Sequence, residues 1–286
     1  MAITTAMIKE LRDATSLGIA DCKKALEETG GDFDAAVKIL REKGAAVAAK
    51  RASKEAKEGM VAALVADDAK SAGMIEVNCE TDFVTRNEDF QAFVEELRGE
   101  ALNFETDAMA AGVADKVEDK MGTIGEKIQF RRNVKLAVDG IGSVASYIHM
   151  GGKVGVLLEL GCEKEETIAN PVYQELAKDL TLHVAAAAPE FLNRDEVPSE
   201  KVEEEQDIMR TQMKTEDEEK GKSRPEEMIE KILIGKTNKF FSQICFLEQG
   251  FVKEDKVSIT DLIAEKGKEL GDTITVKQYV RYQLGA

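Results

Sequence analysis

Four cysteines, two histidines and 55 acidic residues are the reactive side chains of this chain. Cys22, Cys79, Cys162 and Cys245 lie far apart, with no CxxC pair and no histidine pair nearby, so the spacing offers no zinc set. His149 and His183 alone give poor support to a histidine-based triad or metal centre, and His183, beside a helical apolar stripe, reads as structural. No GxxxxGK[ST] phosphate loop occurs, and Gly151-Gly152-Lys153 lacks its context, so the chain is not expected to hold a nucleotide itself. Most carboxylates fall on helical surface. With no catalytic set visible, the expectation is a protein without covalent chemistry, cofactor or metal of its own. What remains is contact chemistry. Thr81-Asp82-Phe83-Val84 places an aromatic in polar company.

Two elements would hold that tetrapeptide. Met74 to Asn78 alternates as a strand, with Ile75 and Val77 on one face. Phe90, Phe93, Val94, Leu97 and Ala101 then recur at helical spacing as one apolar stripe. The stripe does not need Phe83. A phenylalanine in such a strand-to-helix loop is either a plug over a small core or a side chain meant for a partner.

An internal repeat bears on that choice. Residues 59 to 101 repeat without a gap at 142 to 184. Cys79 and Cys162 stand 83 positions apart. The same offset lays MIEVNCE over LLELGCE, and the stripe from Phe90 to Ala101 over Tyr173, Leu176, Ala177, Leu180 and Val184. The register predicts two similar subdomains, each an antiparallel hairpin followed by a helix on one sheet face. Where the first copy has Thr81-Asp82-Phe83, the second has Lys164-Glu165-Glu166. The scaffold does not require an aromatic there, which favours the contact reading of Phe83. His149, just before Gly151-Gly152 near the second hairpin's turn, reads either as solvated or as a contact beside a closely approachable backbone.

The remaining segments complete an α+β architecture. Residues 1–44 read as three short helices. Ser16-Leu17-Gly18 breaks the first, Asp32 caps the third and Gly44 ends it. Residues 45–58 read as a solvated helix or linker. The core then runs over 59–141 and 142–188. Between the copies come a helix over 115–121, a loop at Ile124-Gly125 and a strand from Ile128 to Leu136. Within residues 189–241, Glu196 to Lys220 is densely charged with a thin apolar stripe, Ser223 and Glu226 make a capping box, and Met228, Ile229, Ile232 and Leu233 form a good second stripe, so the segment reads as an inserted antiparallel helical hairpin. Residues 242–286 finish the second subdomain. Gln243 to Leu247 reads as strand, 257–270 contains a helix, and 274–284 is a terminal strand joining the second sheet.

Composition excludes several classes. The 286 residues carry 39 basic and 55 acidic side chains, a net charge of -16. Such a balance argues against a nucleic-acid coat, because neutralising phosphate needs excess Lys and Arg. No run approaches a membrane span, and MAITTAMIKELRD lacks a secretory pattern. A reduced, cytoplasmic protein is expected.

Two stretches carry a family resemblance. IEVNCETDFVTRNEDF, and LRDATSLGIADCKKALEETGGDFDAAVKILREKG from Leu11 to Gly44, are similar to signatures of bacterial elongation factor Ts, which releases GDP from elongation factor Tu. IGEKIQFRR is also similar to that family's sequence, and weaker similarity covers nearly the whole chain. The resemblance implies a ubiquitin-associated-type N-terminal bundle that docks on the partner's nucleotide-binding domain, and a core of two halves. It implies that the loop of Thr81, Asp82, Phe83 and Val84 inserts near the partner's magnesium site, Phe83 as a wedge and Asp82 as a hydrogen-bonding orienter. Ile124, Gly125 and His149 match further contact positions, as do Lys9, Ile19 and Lys23 in the bundle. The hairpin is a projecting arm in relatives, so a homodimer or 2:2 complex through it is an expectation. Ser16 and Ile19-Ala20 depart from the family's usual Gly and Met pair.

Two other classes compete. A ubiquitin-associated-type adaptor accounts for the bundle but not for the TDFV loop or the duplicated core. An RNA-associated subunit needs steeply salt-dependent RNA binding, which the acidity opposes.

Overall fold

The computed structural model describes residues 3–15, 17–51, 53–221 and 224–286. Ser16, read as a helix breaker, and Ser223, read as a cap, lie outside the described residues. Helices combine with small antiparallel sheets, as an α+β chain requires. The chain divides into two units, one of 1–137, 148–157 and 282–286, the other of 138–147 and 158–281.

In the first unit, α1 (Thr5–Thr15), α2 (Ile19–Glu28) and α3 (Phe33–Arg51) enclose Leu11, Cys22, Ala25, Leu26, Ala36 and Leu40. Asp32 Oδ1 accepts from the Ala35 amide at 3.0 Å, the expected cap. Gly44 does not end α3, which continues to Arg51. The residues beyond it are mostly Ala, Lys and Arg, good helix formers that carry the helix past one glycine.

The strands β1 (Glu58–Val65) and β2 (Ser71–Cys79) form an antiparallel hairpin. A single helical turn follows, α4 (Asp82–Thr85), where the sequence reading placed a loop, and then α5 (Glu88–Glu100). Asn87 caps α5, its side chain accepting from the Asp89 amide at 2.8 Å. After α6 (Met109–Gly112) and α7 (Ala114–Ile124), β3 (Ile128–Ala137) pairs antiparallel with β2. The sheet order is β1-β2-β3. One face packs Ile75, Val77 and Cys79 against Phe90, Phe93, Val94 and Leu97. Fully burying a side chain such as Phe90 contributes about 1.5–3 kcal/mol.

β2 is central and buried on both faces, and it carries Glu76 inside. That carboxylate is satisfied: it accepts from Asn78 Nδ2 at 3.2 Å, Arg131 Nη1 at 3.1 Å, Arg132 Nε at 2.7 Å and the Gly285 amide at 2.9 Å. On the outer side of β1, the Val61 amide donates to the Gly152 carbonyl at 2.8 Å. Gly152 has φ 95°, and a Cβ there would sit 3.1 Å from the Val61 oxygen. Only glycine suits both demands.

A second sheet is formed by β4 (Gly142–His149), β5 (Val154–Gly161) and the terminal strand β8 (Thr275–Gln283), in the order β4-β5-β8. The intervening elements are α8 (Glu165–Ile168), α9 (Pro171–Ala187), α10 (Ser199–Glu219), α11 (Glu226–Ile244), β6 (Gly250–Phe251), β7 (Glu254–Ser258) and α12 (Ile259–Leu270), before β8 (Thr275–Gln283). α8 lies 83 positions after α4 at both ends, and Asn170 caps α9 as Asn87 caps α5. Met209, Met213 and Leu233 form the seam between α10 and α11. Gln243 to Leu247 is not a strand. α11 runs through Ile244, a 3-10 turn follows at 246–248, and only an isolated bridge joins Cys245 to Phe191. A short apolar run has no period that separates strand from buried helix end.

Candidate functional site

Phe83 is the most exposed large apolar side chain among the described residues, at 76%. Its neighbour Val84 is buried in the sheet-helix core beside Cys79 and Phe90. One turn of helix separates these fates. Successive side chains on a helix point about 100° apart, so anchoring Val84 turns Phe83 outward. Thr85 Oγ1 donates to the Asp82 carbonyl at 2.7 Å, and Arg86 Nη2 donates to Asp82 Oδ2 at 3.2 Å. Both members of that ion pair are half or more exposed, so it contributes only about 0.3–0.5 kcal/mol and is readily exchanged.

The turn is fixed at its entrance. The Cys79 thiol donates to the Thr81 carbonyl at 3.2 Å, and burial pushes that thiol up to about 12, so it stays a neutral donor. Thr81 Oγ1 donates to Glu126 Oε2 at 3.0 Å. That bond brings the turn to the Ile124-Gly125 corner. Ile124 is the last residue of α7 and packs partly on the core, while Gly125 caps the helix with φ 79°. The sequence reading put this pair in a loop, but the left-handed glycine is a helix stop.

The equivalent turn in the second unit is held differently. Asp272 Oδ1 accepts from the Glu163 amide and Oδ2 from the Lys164 amide, both at 3.1 Å, and Oδ2 also accepts from Thr167 Oγ1 at 2.5 Å. These bonds hold the Asp272 carboxyl below its ordinary value.

His149 is exposed at the end of β4, and its carbonyl accepts from the Gly152 and Lys153 amides. The next residue, Met150, is 72% exposed and has φ 49°. Met150 and Asp82 line one open groove, together with Thr85, Arg86 and Lys153. Lys9, Ile19 and Lys23 are exposed on α1 and α2, Ile19 at 59%, and Lys23 pairs with Glu27 at 3.7 Å. No bond joins them to the turn among the described contacts.

His183 is buried and structural. The Val252 amide donates to Nδ1 at 3.2 Å, which leaves Nε2 to donate to Gln249 Oε1 at 2.9 Å. Among the described residues, no group of three or more His, Cys, Asp or Glu could hold a metal ion, and no helix is long and apolar enough to cross a membrane. Sequence reasoning missed Met150 and the shared asparagine caps. Asn87 and Asn170 fall at the 83-residue offset and were legible.

The α+β scaffold thus presents one exposed aromatic, Phe83, on a turn anchored by Val84. The comparisons give its family. The model of the family described as "Elongation factor TS" matches residues 80–286. Elongation factor Ts of Trichlorobacter lovleyi is 43% identical over 298 aligned residues, covering 100% of this chain and 93% of the relative. That of Nitratiruptor sp. is 40% identical, covering 100% of this chain and 94% of the relative. That of Nitratidesulfovibrio vulgaris is 40% identical, covering 100% and 96%. The chain belongs to the elongation factor Ts family, whose members are exchange factors of translation elongation.

Proposed function

We propose that this chain docks on elongation factor Tu and promotes release of GDP, so that GTP can bind. The observation that carries the reading is Phe83, 76% exposed on a turn whose neighbour Val84 is buried. A free protein gains nothing from an aromatic held out in water. A partner that buries it gains roughly 1.5–3 kcal/mol. The gain promotes exchange only if it is larger in the partner's nucleotide-poor state. Linkage then requires that nucleotide binding weaken when the factor binds. Phe83 acts as a wedge near the partner's magnesium and phosphate site. Asp82 exchanges its weak bond with Arg86 for a partner donor and orients the turn.

Ile124, Gly125 and His149 extend the core contact. Residues 1–44 form a ubiquitin-associated-type dock through Lys9, Ile19 and Lys23, joined by 45–58 to two similar halves, 59–141 and 142–188 with 242–286. The hairpin within 189–241 projects as an arm, through which two complexes associate. The chain works in the cytoplasm, without covalent chemistry. GDP, GTP and magnesium belong to the partner, and the chain binds neither membrane nor nucleic acid directly.

The test is stopped-flow release of a fluorescent GDP analogue from elongation factor Tu, with the parent, Phe83→Ala and Asp82→Ala. Acceleration by the parent, clearly reduced in folded Phe83→Ala, supports factor and wedge together. No acceleration by the parent sinks the exchange reading. Equal rates for parent and Phe83→Ala sink the wedge alone.

A further inference from the structure

We propose that Glu80 is a positioning residue, which locks the turn bearing Asp82 and Phe83 to the Gly125–Lys127 corner and to the end of α3. This role rests on the exchange reading. Glu80 lies between the end of β2 and Thr81, which caps the turn, and its side chain is 14% exposed. Its Oε1 accepts from the Lys127 amide at 3.0 Å. Its Oε2 accepts from Arg51 Nη1 at 2.9 Å, and Oε1 receives the same nitrogen at 3.3 Å. One carboxylate therefore joins its own segment to two others, 29 and 47 residues away from it in sequence.

The neighbouring bonds lie in parallel. Thr81 Oγ1 reaches Glu126, and Lys127 Nζ donates to the Lys54 carbonyl at 2.7 Å. A backbone amide and a guanidinium both aimed at one largely buried carboxylate are charge-assisted bonds, stronger than neutral ones and directional. In the second unit the equivalent turn is also held by a carboxylate, supplied from elsewhere in the chain. There Glu163 stands where Glu80 does, yet the turn is held by Asp272, which accepts from the amides of Glu163 and Lys164. The first unit draws its clamp from the residue next to the turn itself. A change in the Gly125–Lys127 corner is thereby passed directly to the backbone that aims Phe83. The end of α3, which leads from the N-terminal helices, is held by the same group.

The role predicts a split between binding and exchange. In stopped-flow GDP release from elongation factor Tu, Glu80→Ala lowers the rate at saturating factor by roughly tenfold, the effect of losing one charge-assisted bond. The half-saturating concentration moves by less than about threefold, because the exposed contact side chains remain. Glu80→Gln keeps an acceptor for the Lys127 amide and recovers most of the rate. Glu80→Asp keeps the charge but withdraws it by one methylene, and falls with Glu80→Ala; it serves as the variant should Glu80→Ala not fold. The double variant Glu80→Ala/Phe83→Ala is no slower than Phe83→Ala, because Glu80 acts through the aim of Phe83. A parent-like rate for Glu80→Ala and Glu80→Asp, or a double variant slower by the product of the single effects, overturns the proposal. Amide hydrogen exchange of the free protein reads the clamp without any partner. Protection over 81–87 and 124–128 falls in Glu80→Ala or Glu80→Asp while α9 keeps its own, and unchanged protection overturns the clamp. If the parent itself fails to accelerate release, the exchange reading fails, and hydrogen exchange still decides the clamp.

Discussion

Gly122 of α7 lies against Gly44 of α3 so closely that a Cβ on Gly122 would sit 2.7 Å from the Gly44 Cα. A Cβ on Gly44 would meet Gly122 at 3.5 Å, an ordinary contact. The two glycines are therefore not equivalent. Gly122→Ala must push two helices apart and is expected to destabilise by about 1–3 kcal/mol, even though alanine suits a helix better. Gly44→Ala gains up to about 1 kcal/mol of helix propensity with no clash. Urea unfolding of both variants checks the asymmetry, and equal effects would remove the crossing as its cause.

Phe83 and Val84 are predicted to separate stability from activity. Phe83→Ala removes an exposed ring and shifts unfolding free energy by no more than about 0.5 kcal/mol. Val84→Ala opens the core beside Phe90 and costs about 1–3 kcal/mol. Thermal melts of the pair give the comparison. A large stability loss in Phe83→Ala would mean that the ring packs on its own chain in solution.

His183 sets a pH dependence of known sign. Burial lowers its pKa below the ordinary 6.5. Below pH 6.5 the unfolded chain takes up a proton there more readily than the folded chain, so stability falls as pH falls through that range. The full contribution is present above pH 6.5 and is lost as the solution is acidified. The slope from this one group is at most about 1.4 kcal/mol per pH unit. Urea midpoints between pH 7.5 and 5 should fall less steeply in His183→Asn. Parallel slopes would show that the ring is not held neutral.

Thiol accessibility should be uneven. Cys22, Cys79 and Cys245 are buried, and Cys162 is partly exposed. Burial pushes Cys79 up to about 12 and Cys245 to about 11, which suppresses their thiolates. A chromogenic disulfide reagent should titrate one thiol quickly in the native protein and four after denaturation. Rapid reaction of Cys79 in the native state would contradict the packing under the turn that carries Phe83.

Periodicity made the helices and strands of the two core units readable, because each buries one face against its neighbours. The 83-residue offset added register, which a single copy cannot give. Local features were harder. α4 is one turn long, shorter than any stripe, so Asp82 to Thr85 read as loop. Gly44 read as a stop because its packing against Gly122 depends on a residue far along the chain. Gln243 to Leu247 read as strand because its apolar run has no period. Glu80 was hidden by abundance: among 55 acidic residues, nothing local marks the one whose partners are Arg51 and Lys127. The exposure of Phe83 is a different matter. Its replacement by Glu166 in the second copy had already freed it from the scaffold.

The bond from Val61 to Gly152 also bears on the open edge of the first sheet. β1 is an outer strand, and an outer strand offers its unpaired amides to any extended chain that drifts alongside. The Gly152 carbonyl already occupies one of those donors in the middle of β1. The glycine that lets the turn come so near therefore leaves one rung fewer on that edge for another strand to pair with.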